Sequence, residues 1–488
     1  MEPIGTITNY FPFLEEDTVH VLKDVMDQAS NYYDFVVRLG NKACDEDVSL
    51  ELVYMAAVNV SRIKERNILE CLKDKYTDRP EIIIWTFPLL GDSDRTEYRD
   101  EYQEVRSKVT KLRLPDWFLI EIHLSLDDWF ARTSAETSEL IEKIESILNR
   151  NNDLDWYKTA LISMESWVHN MNGDSITSIL MLQKGLELAE KYDDIYGVMA
   201  SNWQLANSLR NHNAQKALEY VEEHNRIAVF LGLPRSMELA RHLMGVIHLT
   251  RGEYDMALEC NFAAIEVYYH NTRPSSTMCG VISTIYNDIE DRTQALHWAN
   301  EGFRAAGGKG SPILHAAKSI ALLLLGRLED AEHHLDELHK LSLESAAEED
   351  QALLLYGRGF YELKSGNPQA AIDSLEQALS INEQLNTQIA INRCLIALTQ
   401  AEIQLASESG TQDCSGPWMV RLETHARKKD YPGIQMQAAL LRAEFLMKQG
   451  RKVEAQQVLR DALDILDSPT VKTLRTKIEK MLDDLIIA

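Results

Sequence analysis

Apolar residues recur at the three-to-four-residue spacing of amphipathic helices along most of the chain. In the stretch Glu15 to Leu39, Val21, Leu22, Val25, Met26, Ala29, Tyr32 and Tyr33 form one stripe. That stripe predicts a long helix opened by Glu15, Glu16 and Asp17 near its positive end and ended by Gly40. Ser49 to Arg66, Ile68 to Tyr76 and Glu97 to Leu112 read as further helices. The run from Pro80 to Gly91 breaks the period with β-branched residues between prolines. A single strand there has nothing to pair with, so an extended, packed connector is expected. From Pro115 onward helix follows helix, beginning with Asp116 to Ala131 and Thr137 to Asn149.

Small residues then begin to repeat. In the stretch Arg241 to Glu266, Gly245, Gly252, Ala257 and Ala264 fall at offsets of 7, 5 and 7. A small residue midway along one helix lets a second approach, a glycine ends the first, and two alanines admit the neighbouring helices. Gly173, Ser178, Leu182 and Gly185 are spaced 5, 4 and 3, and so are Gly366, Ala371, Leu375, Ala378 and Gly450, Ala455, Leu459, Ala462. Gly326, Ala331, Leu335 and Leu338 match with leucine in the last place. Ala217, Val221 and His224, and Ala295, Ala299 and Gly302, mark weaker units. A further unit fits Ile389 to Ala406 plus Trp418 to Lys429. The pattern predicts an all-α chain built from about eight stacked helical hairpins, an α-solenoid. Pro234, Pro274, Pro312, Pro432 and Pro469 fall between units. The expected organisation is an N-terminal helical domain over 1–114, a repeat array over 115–467 and a capping helix over 468–488.

The Gly–Ala–Leu–Ala spacing resembles the tetratricopeptide repeat superfamily over roughly the last three quarters of the chain. The family unit is about 34 residues long, whereas these units recur at 36 to 40. The tryptophan early in the first helix and the proline closing the unit are mostly missing. In that respect the array is similar to the long-helix variety found in sensor domains of transcriptional activators and peptide-sensing regulators, and to uncharacterised archaeal repeat proteins. The resemblance implies a right-handed superhelix whose first helices line a concave face. It carries no activity.

Family geometry places concave positions ten, six and two residues before the residue that closes each first helix. The second repeat then offers Asn202, Ala206 and Arg210, with His212 in the closing place. The third offers His242, Val246 and Thr250, and the fourth Gly280, Thr284 and Asp288 with Asn287 beside them. Tyr356 and Arg358 lie in the sixth, and Asn392 and Arg393 head the seventh. Asn202, Arg210, His242, Asn287, Tyr356 and Asn392 are therefore the candidate residues for a ligand or partner. Asn and Arg suit a peptide backbone or a carboxylate, although the same residues also suit a solvated helix face. The first helix of the fifth repeat is apolar nearly all round, with Ile313, Ala316, Ile320, Leu323 and Leu324 on its concave side. Such a helix is buried on every face. Tighter packing within the chain and an enclosed apolar pocket are the two expectations.

Composition narrows the function classes. The 488 residues carry a formal charge of −26 and are 45% hydrophobic. This argues for a folded core and against nucleic acid or an anionic membrane as partner. Six cysteines without a CxxC pair suit reduced thiols in a cytosol. The N-terminus lacks a basic start and an apolar signal core, and no uncharged apolar run approaches the roughly 20 residues that span a bilayer. A cytoplasmic protein is expected.

Candidate chemistry is sparse. The run Gly302 to Ser311 fails as a phosphate loop, because Gly307 is followed by Gly308 where lysine belongs and no strand precedes it. His333, His334 and His339 lack the spacing of a helical zinc motif, and no nucleophile elbow occurs. No cofactor, metal or catalytic group is expected. Arg421, Arg427, Lys428, Lys429, Arg442, Lys448, Arg451, Lys452 and Arg460 cluster late in the chain, either to dock an acidic surface or simply as solvated, paired helix faces. The sequence thus points to a non-catalytic intracellular scaffold or adaptor that holds a peptide or partner protein on the concave face. The alternative is a regulatory sensor that encloses a small molecule or signalling peptide.

Overall fold

The computed structural model describes residues 5–89, 99–124, 133–268, 275–345, 347–409, 416–465 and 469–487. Within these residues every regular element is helical. The chain divides into two compact units, Met1–Leu209 with Glu219–Met237, and Arg210–Leu218 with Glu238–Ala488.

After the short elements Gly5–Thr8 and Phe11–Phe13, the first unit forms helices Glu16–Gln28 and Tyr32–Asp45, where the apolar stripe predicted one long helix. The break has a local cause. The Asn31 side chain accepts from Asp34 N at 2.9 Å and starts a new helix, while Ala29 is already extended. Gly40 therefore lies inside a helix and not at its end. A Cβ there would sit 2.6 Å from Ile68 Cγ2, so its role is close helix packing. Leu50–Ile63, capped by Ser49, and Arg66–Lys75 follow as expected. The segment from Pro80 is not extended. It forms a helical turn, Pro80–Ile83, that continues as a 3-10 helix, Ile84–Leu89. Pro80 at the first helical position explains the start, and burial of Ile82, Ile84 and Trp85 holds the rest. Arg99–Val109 and Asp116–Ile122 come next, with residues 125–132 of the predicted Asp116–Ala131 helix outside the described residues. Ser134–Leu148 begins at a capping box formed by Thr133 and Glu136. Trp85, Trp117, Phe118, Tyr10 and Phe35 fill the core.

The repeats follow as hairpins. Lys158–Met171 with Ser175–Lys191, and Ile195–Leu209 with Ala214–Leu231, are the first. Pro234–Arg251 pairs with Tyr254–Tyr268, Ser276–Asp288 with Arg292–Ala305, Pro312–Leu324 with Leu328–Ser345, and Glu348–Lys364 with Pro368–Gln384. Gln388–Ser409 with Pro417–Lys429, Pro432–Lys448 with Lys452–Ile465, and the terminal helix Lys472–Ile487 complete the array. The recurring small positions are the packing contacts: Ser178, Ala217, Ala257, Ala295, Ala331, Ala371 and Ala455 are all buried. Pro234, Pro312 and Pro432 each open a helix, so the prolines between units act as starts as well as stops. The fold is an α-solenoid of stacked hairpins.

Candidate functional site

In the second unit the first helices carry their polar inward side chains onto one another. Asp288, at the end of Ser276–Asp288, meets Arg393 in Gln388–Ser409. Arg393 Nε lies 3.1 Å from each carboxylate oxygen and Nη2 lies 2.9 Å from Oδ2. Both side chains are largely buried. Burial raises the Asp288 pKa, against the opposing pull of Arg393. Burial works against the Arg393 charge as well, yet Asp288, with Tyr356 and Tyr254, more than restores it and the pKa ends above its usual value. Two tyrosines share this interior. Burial and then the Asp288 charge push the Tyr254 pKa well up. Tyr356 is also raised, chiefly by burial, with Arg393 opposing and Asp288 adding. Gln437 Nε2 reaches the Asp288 backbone oxygen at 3.5 Å.

Five further contacts close this unit upon itself. Asn392 Nδ2 donates to Thr250 O at 2.8 Å, and His425 Nε2 donates to Asn392 Oδ1 at 3.0 Å. Gly433 sits against Gly252, where a Cβ on Gly433 would lie 1.8 Å from Gly252 O. Thr473 N and Oγ1 donate to Asp255 at 2.9 and 2.7 Å, and Lys477 Nζ donates to Ile289 O at 2.7 Å. Beneath this polar rim, Leu249, Tyr254, Val281 and Ile285 share one apolar core with Met436, Leu446, Val471, Leu474 and Ile478. The third and fourth repeats are thus packed against the eighth and the terminal helix.

Of the residues singled out from sequence, Tyr356 shares the interior of the Asp288–Arg393 pair, while Asn287 and Asn392 precede its two members and bond to other partners. Asn287 Nδ2 donates to Ala317 O at 2.8 Å, while its Oδ1 is buried without a partner. His242 is engaged elsewhere: Nδ1 donates to Asn261 Oδ1 at 2.8 Å, and Asn261 Nδ2 in turn donates to Ala257 O at 2.7 Å. Arg210 is half-buried, and burial lowers its pKa. Asn202, in the first unit, is buried and donates to Val198 O of its own helix at 2.9 Å. The sequence reading missed Tyr254, Gln437 and His425, whose spacing carries no local signal.

The apolar first helix of the fifth repeat is packed core. Leu314, Ala316, Ala317, Ala321, Leu322 and Leu323 are all buried. His315 on that helix lies 3.2 Å, Nδ1 to Nδ1, from His334 on the next, a pairing that their sequence separation hid. Burial, then Lys318 and His315, hold the His334 pKa down at about 4. Among the described residues no group of three or more metal-ligating side chains is assembled. The late basic residues are in part paired: Arg421 with Glu383, Arg442 with Glu423, Lys448 with Glu444 and Arg451 with Glu454.

The first unit holds a second buried polar cluster, which the sequence did not announce. Glu121 Oε1 accepts from Tyr10 OH at 2.5 Å, Arg62 Nη2 at 2.7 Å and Tyr157 OH at 2.8 Å. Asn59 Oδ1 accepts from Tyr32 OH at 2.7 Å and Arg62 Nη1 at 3.4 Å. Burial raises the pKa of Tyr10, Tyr32 and Tyr157, which keeps all three as donors. The cluster ties the N-terminal segment to three later elements.

No protein-family model matches the chain, and no curated protein matches it. Among solved structures, the crystal structure of the yeast Tom70 is similar at a TM-score of 0.34 and 11% identity, over 93% of this chain and 92% of that one. A likeness so slight carries no argument, and the helical-repeat reading rests on the hairpins themselves. Among the described residues no helix is long and apolar enough to cross a membrane.

Proposed function

We propose that the chain is a non-catalytic protein-interaction module that holds a partner protein or peptide, and that the partner engages the outer, second helices while the second unit is closed. The observation that carries this reading is the location of exposed apolar side chains. Val453 is 79% exposed, Ile176 72%, Leu343 69%, Leu180 61% and Val229 54%, and each stands on the second helix of its hairpin. The inward side chains of the second unit are meanwhile committed to the chain itself. A peptide laid along His242, Asn287, Tyr356 and Asn392 must first displace the Asn392–Thr250 and Asp288–Arg393 contacts. In each unit, exposed apolar side chains of this size offer contact area to a partner.

The test uses the full chain as bait in native extract, beside a variant carrying Ile176→Glu, Leu180→Glu, Leu343→Glu and Val453→Glu. Retention of a stoichiometric protein by the wild type and its loss from the variant is the expected result. Equal retention by both overturns the outer-face reading. A second reading, a sensor enclosing a small molecule, is favoured by one observation. Asn287 Oδ1 and Gln437 Oε1 are buried without a hydrogen-bond partner near Asp288, where a ligand bearing donors would satisfy them. A metabolite that raises the unfolding temperature of the wild type but not of Asn287→Leu supports that reading.

A further inference from the structure

Cys44 lies at the end of the helix Tyr32–Asp45, and Cys71 lies in Arg66–Lys75. The register between these helices is set on both sides of the two cysteines. On one side Gly40 lets the helices touch, since a Cβ there would lie 2.6 Å from Ile68 Cγ2. On the other side Lys75 Nζ donates to Ala43 O at 3.1 Å and to Glu46 O at 2.5 Å. Between these levels Cys44 Sγ reaches Ile68 O at 3.8 Å. Cys71 follows Ile68 by three residues on the same helix face, which sets it beside Cys44. Cys71 is exposed and Cys44 is half-buried.

We propose that Cys44 and Cys71 form a reversible disulfide, a redox-sensitive staple between two packed helices of the first unit. The two sulfurs differ in role. Burial, and next the neighbouring Cys71 thiol, push the Cys44 pKa up to about 12, so the exposed Cys71 meets an oxidant first and Cys44 resolves it. With a peroxide, the Cys71 thiolate attacks one oxygen, the O–O bond breaks, and the departing hydroxide takes up the proton that the thiol gave up and leaves as water, with a sulfenic acid on Cys71. The Cys44 sulfur then attacks the Cys71 sulfur, the S–O bond breaks, and hydroxide departs with the Cys44 proton as a second water. Two thiols lose two electrons and two protons, and the peroxide is reduced to two waters. A reduced dithiol reverses the step by exchange. The closed loop encloses the helix Leu50–Ile63, which carries Asn59 and Arg62 of the Glu121 cluster. Oxidation therefore tightens the element that anchors that buried network.

The experiment treats the full chain with hydrogen peroxide, blocks remaining thiols with N-ethylmaleimide, and digests without reductant for mass spectrometry. Cys44→Ser and Cys71→Ser variants run in parallel. The expected product is a peptide linked through Cys44 and Cys71 that dithiothreitol removes, and that neither variant forms. The oxidised wild type is expected to unfold at a temperature higher by at least about 2 °C. The proposal is overturned if Cys71 proceeds to sulfinic acid while Cys44 stays a free thiol. It is also overturned if the linked peptide forms only after the protein is denatured.

Discussion

Arg393 grips Asp288 with both Nε and Nη2, at distances of 2.9 to 3.1 Å, across 105 residues of chain. The pair is largely shielded from water, and it joins the fourth repeat to the seventh inside the second unit. A buried pair of this kind is costly to break from one side, because the remaining charge is left without a counterion. Arg393→Met or Asp288→Leu is therefore expected to cost about 3–5 kcal/mol. The double variant Asp288→Leu with Arg393→Met is expected to recover most of that loss. Urea unfolding of the full chain, compared as a double-mutant cycle, measures both.

Acid acts on the same seam through His425. Burial, together with the nearby Lys429 charge, holds its pKa down at about 4, against about 6.5 for a histidine in the unfolded chain. The unfolded chain thus takes up the proton first. Stability carried by neutral His425 is present above about pH 6.5 and is lost as the pH falls toward about 4. His425→Gln keeps a donor for Asn392 Oδ1 and removes the titration, so its stability–pH profile is expected to flatten in that window. His334, lowered in the same direction, preserves part of the slope. Asp288 works the other way: its raised pKa means the folded chain takes the proton first, so its own contribution grows as pH falls. Unfolding midpoints of wild type, His425→Gln and Asp288→Asn from pH 7 to pH 4 separate these terms.

Gly433→Ala places a methyl group 1.8 Å from Gly252 O, which is backbone and cannot rotate aside. Overpacking typically costs about 1–3 kcal/mol. The loss is expected with faster hydrogen exchange at both Gly252 and Ile434. An alanine variant as stable and as protected as the wild type contradicts the contact.

In the first unit, Glu121 satisfies Arg62 and two tyrosine hydroxyls at once. Glu121→Gln leaves the guanidinium buried without its counterion and is expected to cost about 3–5 kcal/mol. Tyr10→Phe removes one charge-assisted hydrogen bond and is expected to cost about 1.5–3 kcal/mol. Thermal unfolding of each variant, with circular dichroism to confirm retained helix, checks the ordering.

The hairpins were legible because packing demands small residues at fixed intervals, and Ala257, Ala295, Ala331 and Ala371 stand where two helices meet. The register carried over even to the fourth repeat, where Glu290 takes the positive φ that glycine takes elsewhere. Asn287, Tyr356 and Asn392 are all buried, but what they face was not legible. Asn392 meets Thr250 across 142 residues and Thr473 meets Asp255 across 218, and no local period encodes a partner so remote. Gly40 misled because a glycine near a predicted helix end looks like a stop, whereas this one serves close packing against Ile68. The β-branched run after Pro80 misled because propensity is a weak prior and burial of Trp85 and Ile84 overrode it. Glu121 went unnoticed because a lone carboxylate in an apolar helix reveals its partners only once the chain is folded.

The second unit closes so that the terminal helix touches the third repeat. A chain with Asp255→Cys and Thr473→Cys tests this directly, because these side chains are in contact, 2.7 Å apart at Oγ1 and Oδ1. Under mild oxidation of the monomer, mass spectrometry is expected to find a peptide linked between positions 255 and 473. Recovery of both cysteines as free thiols, in a folded monomer, contradicts the closure and reopens the concave face as a binding groove.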